Sequence, residues 1–337
     1  MSNESGANES GILVLAEHAN GALVSISKEL LGAARGLSAP TPEGVGYARV
    51  TAVAFGSGAA RAAAEAIAHG ADAAIVIDNA GLDEYRNDTW TAAFATAAAE
   101  ASPAIVLMGQ TNIGRDLAPR YAMRAGTAAA MDCIELERQD GKLVMTRPVY
   151  GGNAHAKYTC KTAPAVATLR AKAFEPLAPD SSRTGEVVAL TADTSGAVSR
   201  VVARATVESE GIRLEDATVV VAGGRGLGGT EAFDDLRELA SVLGGAVGAS
   251  RAAVDNGWIP VAAQVGLTGK VVTPDLYIAI AISGASQHLA GITGARYVVA
   301  VNKDPEADIF KVARYGAVAD WAAFLPAFME ACRSLKG

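Results

Sequence analysis

The chain has 337 residues, half of them hydrophobic and 19 % charged, which supplies apolar material for two buried cores and argues against a disordered chain. The formal charge is −7 with no basic stripe, which excludes a nucleic-acid binder and a protein held on anionic lipid by charge. Glycine is frequent (36) and aromatics are few (5 %), a balance that reads as packed α/β rather than as a β-sandwich.

The opening MSNESGANES is polar, so residues 1–10 are expected to be a disordered tail. It lacks the basic-then-apolar order of a secretory signal, and no apolar run reaches the roughly 18–20 residues of a membrane span. A cytoplasmic location without direct membrane insertion is the expectation. Ile12–Ala16 reads as a strand, and 22–37 as a helix closed by Ser-Ala-Pro-Thr-Pro. Strands follow at Val50–Phe55, 74–78 and 104–108, with helices at 60–68 and 89–101 between them. Short apolar strands alternating with helices predict a parallel sheet covered on both faces. Beyond Gly126 the stretches 133–137, 143–147 and 165–169 are strand-like and are expected to extend that sheet, while 176–186 reads as surface. A boundary is expected near 208–216, which divides the chain into an α/β domain over 1–210 and a second over 211–337.

The second series is strand 217–222, glycine loop 223–229, helix 230–243 and strands at 246–249, 276–282, 297–301 and 317–319, a second doubly wound unit with a Rossmann-like plan. Gly224-Arg225-Gly226-Leu227-Gly228-Gly229 fits G-x-G-x-x-G between strand and helix, where glycines let a phosphate approach the backbone. Tight strand–helix turns use the same glycines without a ligand. About 20 residues on, where a nicotinamide site places a carboxylate, the chain has Ser250-Arg251. Arg251 suits a 2′-phosphate, which supports an NADP-dependent reductase, or a permanent positive charge beside an electron-rich ring. Gln264–Lys270, Ser283–His288, Asn302–Asp304 and Asp320 follow further strands, and loops at the carboxyl ends of parallel strands converge on one crevice. His18, His69 and His155 match no metal spacing, so no metal is expected, and Cys133, Cys160 and Cys332 are expected as free thiols. No nucleophile, P-loop or zinc motif is present, which points to redox carriage rather than bond-making catalysis.

Pro274–Phe310 (PDLYIAIAISGASQHLAGITGARYVVAVNKDPEADIF) closely resembles a block of the electron-transfer flavoprotein alpha subunit. GGRGLG (223–228), SRAAVDNG (250–257), QVGLTGK (264–270) and YGAVAD (315–320) resemble the family's other blocks in order, as do ILVLAEH and TRPVYGGNAHAK in the first half. The resemblance implies an electron carrier rather than a metabolite-transforming enzyme, with FAD in the C-terminal domain and a beta subunit as heterodimeric partner that carries AMP or a second FAD. It implies electron donors among flavin dehydrogenases, such as the acyl-CoA dehydrogenases of fatty acid beta-oxidation, and a quinone oxidoreductase as acceptor. Bifurcating and nitrogen-fixation-linked members share the alpha fold, and a cofactor-free docking module is the remaining alternative. By position, the implied flavin contacts are Arg225, Ser250, Arg251, Val265, Gly266, Leu267, Thr268, Ser283, Gly284, Ala285, Ser286, Gln287, His288, Asn302, Asp320 and Trp321. Thr268 would donate toward flavin N5, His288 would sit near the C2 carbonyl, Arg251 near the rings, and Asn302 and Asp320 at the adenosine end. Three positions depart from the common pattern: Leu267 for glutamine, Ala281 for glycine and Ser286 for an aliphatic residue.

Overall fold

The computed structural model describes residues 11–39, 49–139, 142–152, 154–203 and 212–336. The tail expected over residues 1–10 lies outside them. The chain forms two compact units, Met1–Val149 with Ala154–Arg204, and Tyr150–Asn153 with Ala205–Gly337. Residues 208–211 of the boundary expected near 208–216 lie outside the described residues.

In the first unit, β1 (Ile12–Leu15) leads to a miniature hairpin of β2 (His18–Ala19) and β3 (Ala22–Leu23), then to α1 (Ser25–Ser38). The helix expected from residue 22 starts later because Asn20 and Gly21 both have positive φ (51° and 83°), the pair a tight hairpin turn requires. β4 (Val50–Phe55), α2 (Ala59–Ala68), β5 (Ala73–Ile77), α3 (Asn87–Ala101), β6 (Ile105–Gly109) and α4 (Asn112–Arg124) continue the alternation. β7 (Ala129–Cys133), β11 (Ala165–Leu169) and β12 (Glu186–Ala189) complete a seven-stranded sheet in the order β12-β5-β4-β1-β6-β11-β7, every pair parallel. Alternate residues of β1 face opposite sides. Ile12 and Val14 pack with α1 and α2, Leu13 and Leu15 with α3 and α4.

The strand-like stretches after Gly126 do not all extend this sheet. β8 (Glu135–Gln139), β9 (Lys142–Val149) and β10 (Ala154–Thr159) form a separate antiparallel sheet. The outer strands of this sheet are open, with Glu135, Gln139, Lys157 and Tyr158 exposed, a pattern that does not suit a sheet buried on both faces. Glu17, two residues beyond β1, is buried, and its Oε1 accepts the Thr111 hydroxyl at 2.7 Å. Burial pushes its carboxyl up to about 7 despite that bond. Burial likewise pushes Glu29 on α1 up to about 7, against the Lys172 N–H that donates to it at 2.6 Å.

The second unit is a five-stranded parallel sheet of β13 (Val219–Gly223), β14 (Ala246–Ala249), β15 (Leu276–Ile280), β16 (Tyr297–Asn302) and β17 (Tyr315–Val318), in the order β14-β13-β15-β16-β17. This 2-1-3-4-5 order is the flavodoxin-like form of the doubly wound fold. α5 (Ala232–Leu243) and α8 (Trp321–Lys336) cover one face through Phe233, Leu236, Leu239, Leu325 and Met329. α6 (Arg251–Asp255) follows β14, and α7 (Ser286–Leu289) follows β15. Irregular segments cover the other face, contributing Val265, Val272, Ile282, Ile292 and Ile309. Between β13 and β15 the chain changes direction of travel across the sheet, which is where ligand crevices form in such folds.

Candidate functional site

A crevice of about 640 Å³ opens at the carboxyl ends of β13, β14, β15 and β16, within the range of roughly 300–1,000 Å³ usual for small-molecule sites. Of the residues expected at a site, Arg225, Ser250, Arg251, Val265, Gly266, Leu267, Thr268, Ser283, Ala285, Gln287, His288 and Asn302 line it. Gly284, Ser286, Asp320 and Trp321 are not among its lining residues. Gly284 stands behind the wall with φ +85°, and a Cβ there would lie 2.1 Å from the Ile309 nitrogen, so it shapes the loop. The Ser286 hydroxyl donates to its neighbour Gln287 at 3.3 Å. Asp320 accepts the Ala322 N–H at 2.9 Å at the start of α8, and Trp321 packs partly buried against the α5–α8 core.

The glycine loop is built for close backbone approach. A Cβ on Gly224 would sit 2.1 Å from the Ala281 carbonyl oxygen. Ala281 itself takes a left-handed conformation, φ +54°, which glycine adopts more readily. The loop does not run straight into a long helix. Residues Arg225–Leu227 form a single 3₁₀ turn, and α5 begins only at Ala232, with Asp234 and Asp235 in its first turn. Those carboxylates already complement the helix dipole, so the long helix is not the anion site expected from G-x-G-x-x-G. Arg225 is exposed and, among the described residues, forms no ion pair.

Two loops make the walls. Gln264–Lys270 is pinned at its base: Val265 N–H bonds Ala249 O at 2.9 Å and Gly266 N–H bonds Lys270 O at 3.0 Å. Leu267 is 58 % exposed, and its N–H donates to Gln287 O at 2.7 Å, so that main-chain donor is already used. Gln264 Nε2 donates to Thr268 Oγ1 at 3.0 Å. Lys270 lies beside Glu215 at 2.9 Å. On the opposite wall His288 is buried, and Nε2 shares a 2.9 Å hydrogen bond with the hydroxyl of fully buried Tyr277. Nδ1 is enclosed and, among the described residues, finds no partner in hydrogen-bonding geometry. Desolvation lowers the imidazole to about 4, only partly offset by the Val265 main chain, and burial pushes the Tyr277 phenol far up. His288 is thus a neutral, fixed part of the wall.

Charge at the mouth comes from α6. Arg251 is exposed, and its Nε lies 3.3 Å from Asp255 one turn on. Ser250 is the N-cap of α6, yet its hydroxyl makes no capping bond. Asn302 is a strut: Nδ2 donates to Ile282 O at 2.9 Å, and Oδ1 accepts the Asp304 N–H at 3.0 Å. Sequence reasoning set Gln264 and Asp304 in segments that converge on the crevice without naming them as contacts, and missed Ala252, Asp255 and Ala307 as lining residues. The available signals were the helical spacing of Arg251 and Asp255, and the Asn-x-Asp spacing at 302–304, which favours a local side-chain turn.

A family model described as electron transfer flavoprotein domain matches residues 12–195, and one described as electron transfer flavoprotein FAD-binding domain matches residues 213–293. "Electron transfer flavoprotein subunit alpha" of Megasphaera elsdenii is 44 % identical over 97 % of each chain. The protein of that name from Bacillus subtilis (strain 168) is 38 % identical over 96 % of this chain and 98 % of its own. "Protein FixB" of Clostridium saccharobutylicum is 39 % identical over 98 % of each.

Proposed function

Because this chain belongs to the electron transfer flavoprotein alpha-subunit family, we propose that it holds FAD in the crevice of its second unit and carries electrons as one half of a heterodimer with a beta subunit. The observation that carries the reading is the meeting of segments 264–268 and 283–288 with Arg225 and Arg251 in one crevice at the sheet's switch point. Three features support the fit of FAD. The Gly224–Ala281 contact leaves backbone, not side chain, at the base. Arg225 supplies a cation, unpaired among the described residues, for a pyrophosphate. The wall carries an apolar stretch through Val265, Leu267, Ile282 and Ala307 beside a few polar groups, as a flat ring with polar edges requires.

FAD, when bound, supplies the capacity to take up and release electrons singly or in pairs. The chain's residues do the rest. Arg251 places a permanent positive charge at the crevice mouth, held in orientation by Asp255. Thr268 offers a hydroxyl donor. His288, backed by the buried Tyr277 hydroxyl, presents a neutral wall without adding a titrating charge. Asn302 ties the loops after β15 and β16 so that the cavity is preformed. Asp320 and Trp321, off the lining, contribute through the start of α8.

The donors in this reading are flavin dehydrogenases such as acyl-CoA dehydrogenases, the acceptor is a quinone oxidoreductase, and the beta subunit carries AMP or a second FAD. No helix among the described residues is long and apolar enough to cross a membrane, which accords with a cytoplasmic carrier. Proteins named FixB match over the same length, so a second reading is an alpha subunit of the bifurcating or nitrogen-fixation-linked type. Co-expression with the beta subunit tests both. The expected product is a yellow 1:1 heterodimer whose flavin bleaches with an acyl-CoA dehydrogenase and its substrate. A colourless heterodimer refutes the FAD site, and reduction by NADH with two flavins per heterodimer selects the second reading.

A further inference from the structure

We propose that Gln264 is a positioning residue that aims the Thr268 hydroxyl proton into the crevice, toward an acceptor atom of the bound cofactor; the inference rests on the FAD reading above. A hydroxyl has one proton and two acceptor lone pairs. Gln264 Nε2 donates to Thr268 Oγ1 at 3.0 Å, and an amide N–H cannot accept in return. One lone pair is therefore filled from behind, and the proton turns elsewhere. Thr268 is exposed and lines the crevice, and no group among the described residues accepts from its hydroxyl. The open direction is the crevice.

The donor behind it is rigid. Gln264 is only 6 % exposed. Its N–H bonds Val261 O at 3.0 Å, and its carbonyl accepts the Lys270 N–H at 2.8 Å. It bridges to Ala249, the last residue of β14, so the side chain projects from the end of the sheet. The turn closes so tightly that a Cβ on Gly269 would lie 2.4 Å from the Gln264 carbonyl oxygen. An exposed hydroxyl backed by a buried, main-chain-anchored donor is the arrangement that holds a contact to a ligand in one orientation. An apolar residue of the same volume would leave the hydroxyl free to spin.

The test uses the full chain in its flavin-loaded heterodimer, with Gln264→Met and Thr268→Val made singly and together, both close to volume-conserving. The readouts are the FAD dissociation constant of the stripped heterodimer and the visible bands of the bound flavin. Loss of one neutral hydrogen bond predicts that Thr268→Val raises the dissociation constant about 3- to 10-fold and shifts the bands. Gln264→Met shifts them in the same direction with a rise of about 2- to 5-fold, and the double variant adds nothing to Thr268→Val. Equal effects of Gln264→Met in both backgrounds, or none in either, overturn the inference. A silent Thr268→Val counts against the flavin reading of the crevice itself and takes the inference with it. If Gln264→Met fails to assemble, Gln264→Asn, whose shorter arm cannot reach Thr268, must show the same dependence on the hydroxyl.

Discussion

Replacing Asn302 by alanine cuts both bonds of the strut that joins the loops after β15 and β16. The two losses are unequal. Ile282 is buried, so its carbonyl is left without a partner away from water, a penalty of about 1–3 kcal/mol. Asp304 is exposed, and its N–H returns to water at little cost. The expected destabilisation of the FAD-free protein is therefore about 1–3 kcal/mol, which lowers its melting temperature by roughly 3–10 °C for a unit of this size. FAD affinity falls on the order of 5- to 10-fold, because binding must now order the loop that Asn302 held. Asn302→Asp separates the two bonds. It keeps an acceptor for the Asp304 N–H but sets a carboxylate oxygen against the Ile282 carbonyl, and it is expected to be worse than alanine. Calorimetry of the stripped heterodimer and a fluorescence titration with FAD measure both quantities. Unchanged melting of the FAD-free form in both variants would refute the strut, and would leave Asn302 to act on the adenosine end alone.

Arg251→Ala is expected to lower the potential for the first electron by about 40 mV, less than the roughly 65–130 mV of a fully enclosed charge-assisted bond, because the side chain is 68 % exposed and shared with Asp255. Asp255→Ala should raise that potential, and spectroelectrochemical titration that finds neither change removes both residues from redox tuning. Gly224→Ala, with a backbone carbonyl 2.1 Å from the new Cβ, should give a heterodimer that purifies without flavin, read directly from its absorbance. The two units should respond oppositely to pH. Glu17 at about 7 keeps its proton in the folded state, so its stabilisation is complete below about 4.5 and is lost as pH rises through 7, whereas His288 at about 4 resists protonation, so stability falls as pH drops below about 6.5. Each amounts to about 3 kcal/mol, and Glu17→Gln should raise the melting temperature at pH 8 but not at pH 4.5, a difference that calorimetry at the two pH values checks.

Apart from β7 and β12, the parallel strands were legible because they are short runs of mainly apolar residues, from Ile12–Leu15 to Tyr297–Asn302, whereas β7 carries Asp132 within its five residues. α4 was not, because Gly114 and Pro119 both lower helix propensity. Its packing explains the glycine: a Cβ at Gly114 would lie 1.9 Å from the Gly109 carbonyl oxygen. β12 was hidden at the end of a polar surface segment, where only its parallel pairing with β5 makes Glu186–Ala189 a strand. The crevice was legible as loops at strand ends. What the sequence left out was which way side chains are spent. Nothing in the run NKD tells that Asn302 bonds its own loops, and nothing in the spacing of Tyr277 and His288 tells that the two meet in the interior.

The match to the FAD-binding family model stops at residue 293, yet β15 still has a neighbour to come. Its five residues pair in register with Tyr297–Val301 on β16. A fragment trimmed at 293 would carry an open edge whose Ile278, Ala279 and Ile280 are fully buried in the whole chain. Such an edge recruits any other strand it meets, so the fragment should collect in inclusion bodies. It would also lack the Asn302 strut. Recombinant dissection of this half must therefore run past Val318 and keep Trp321–Lys336, the helix whose Leu325 and Met329 seal the sheet from one side.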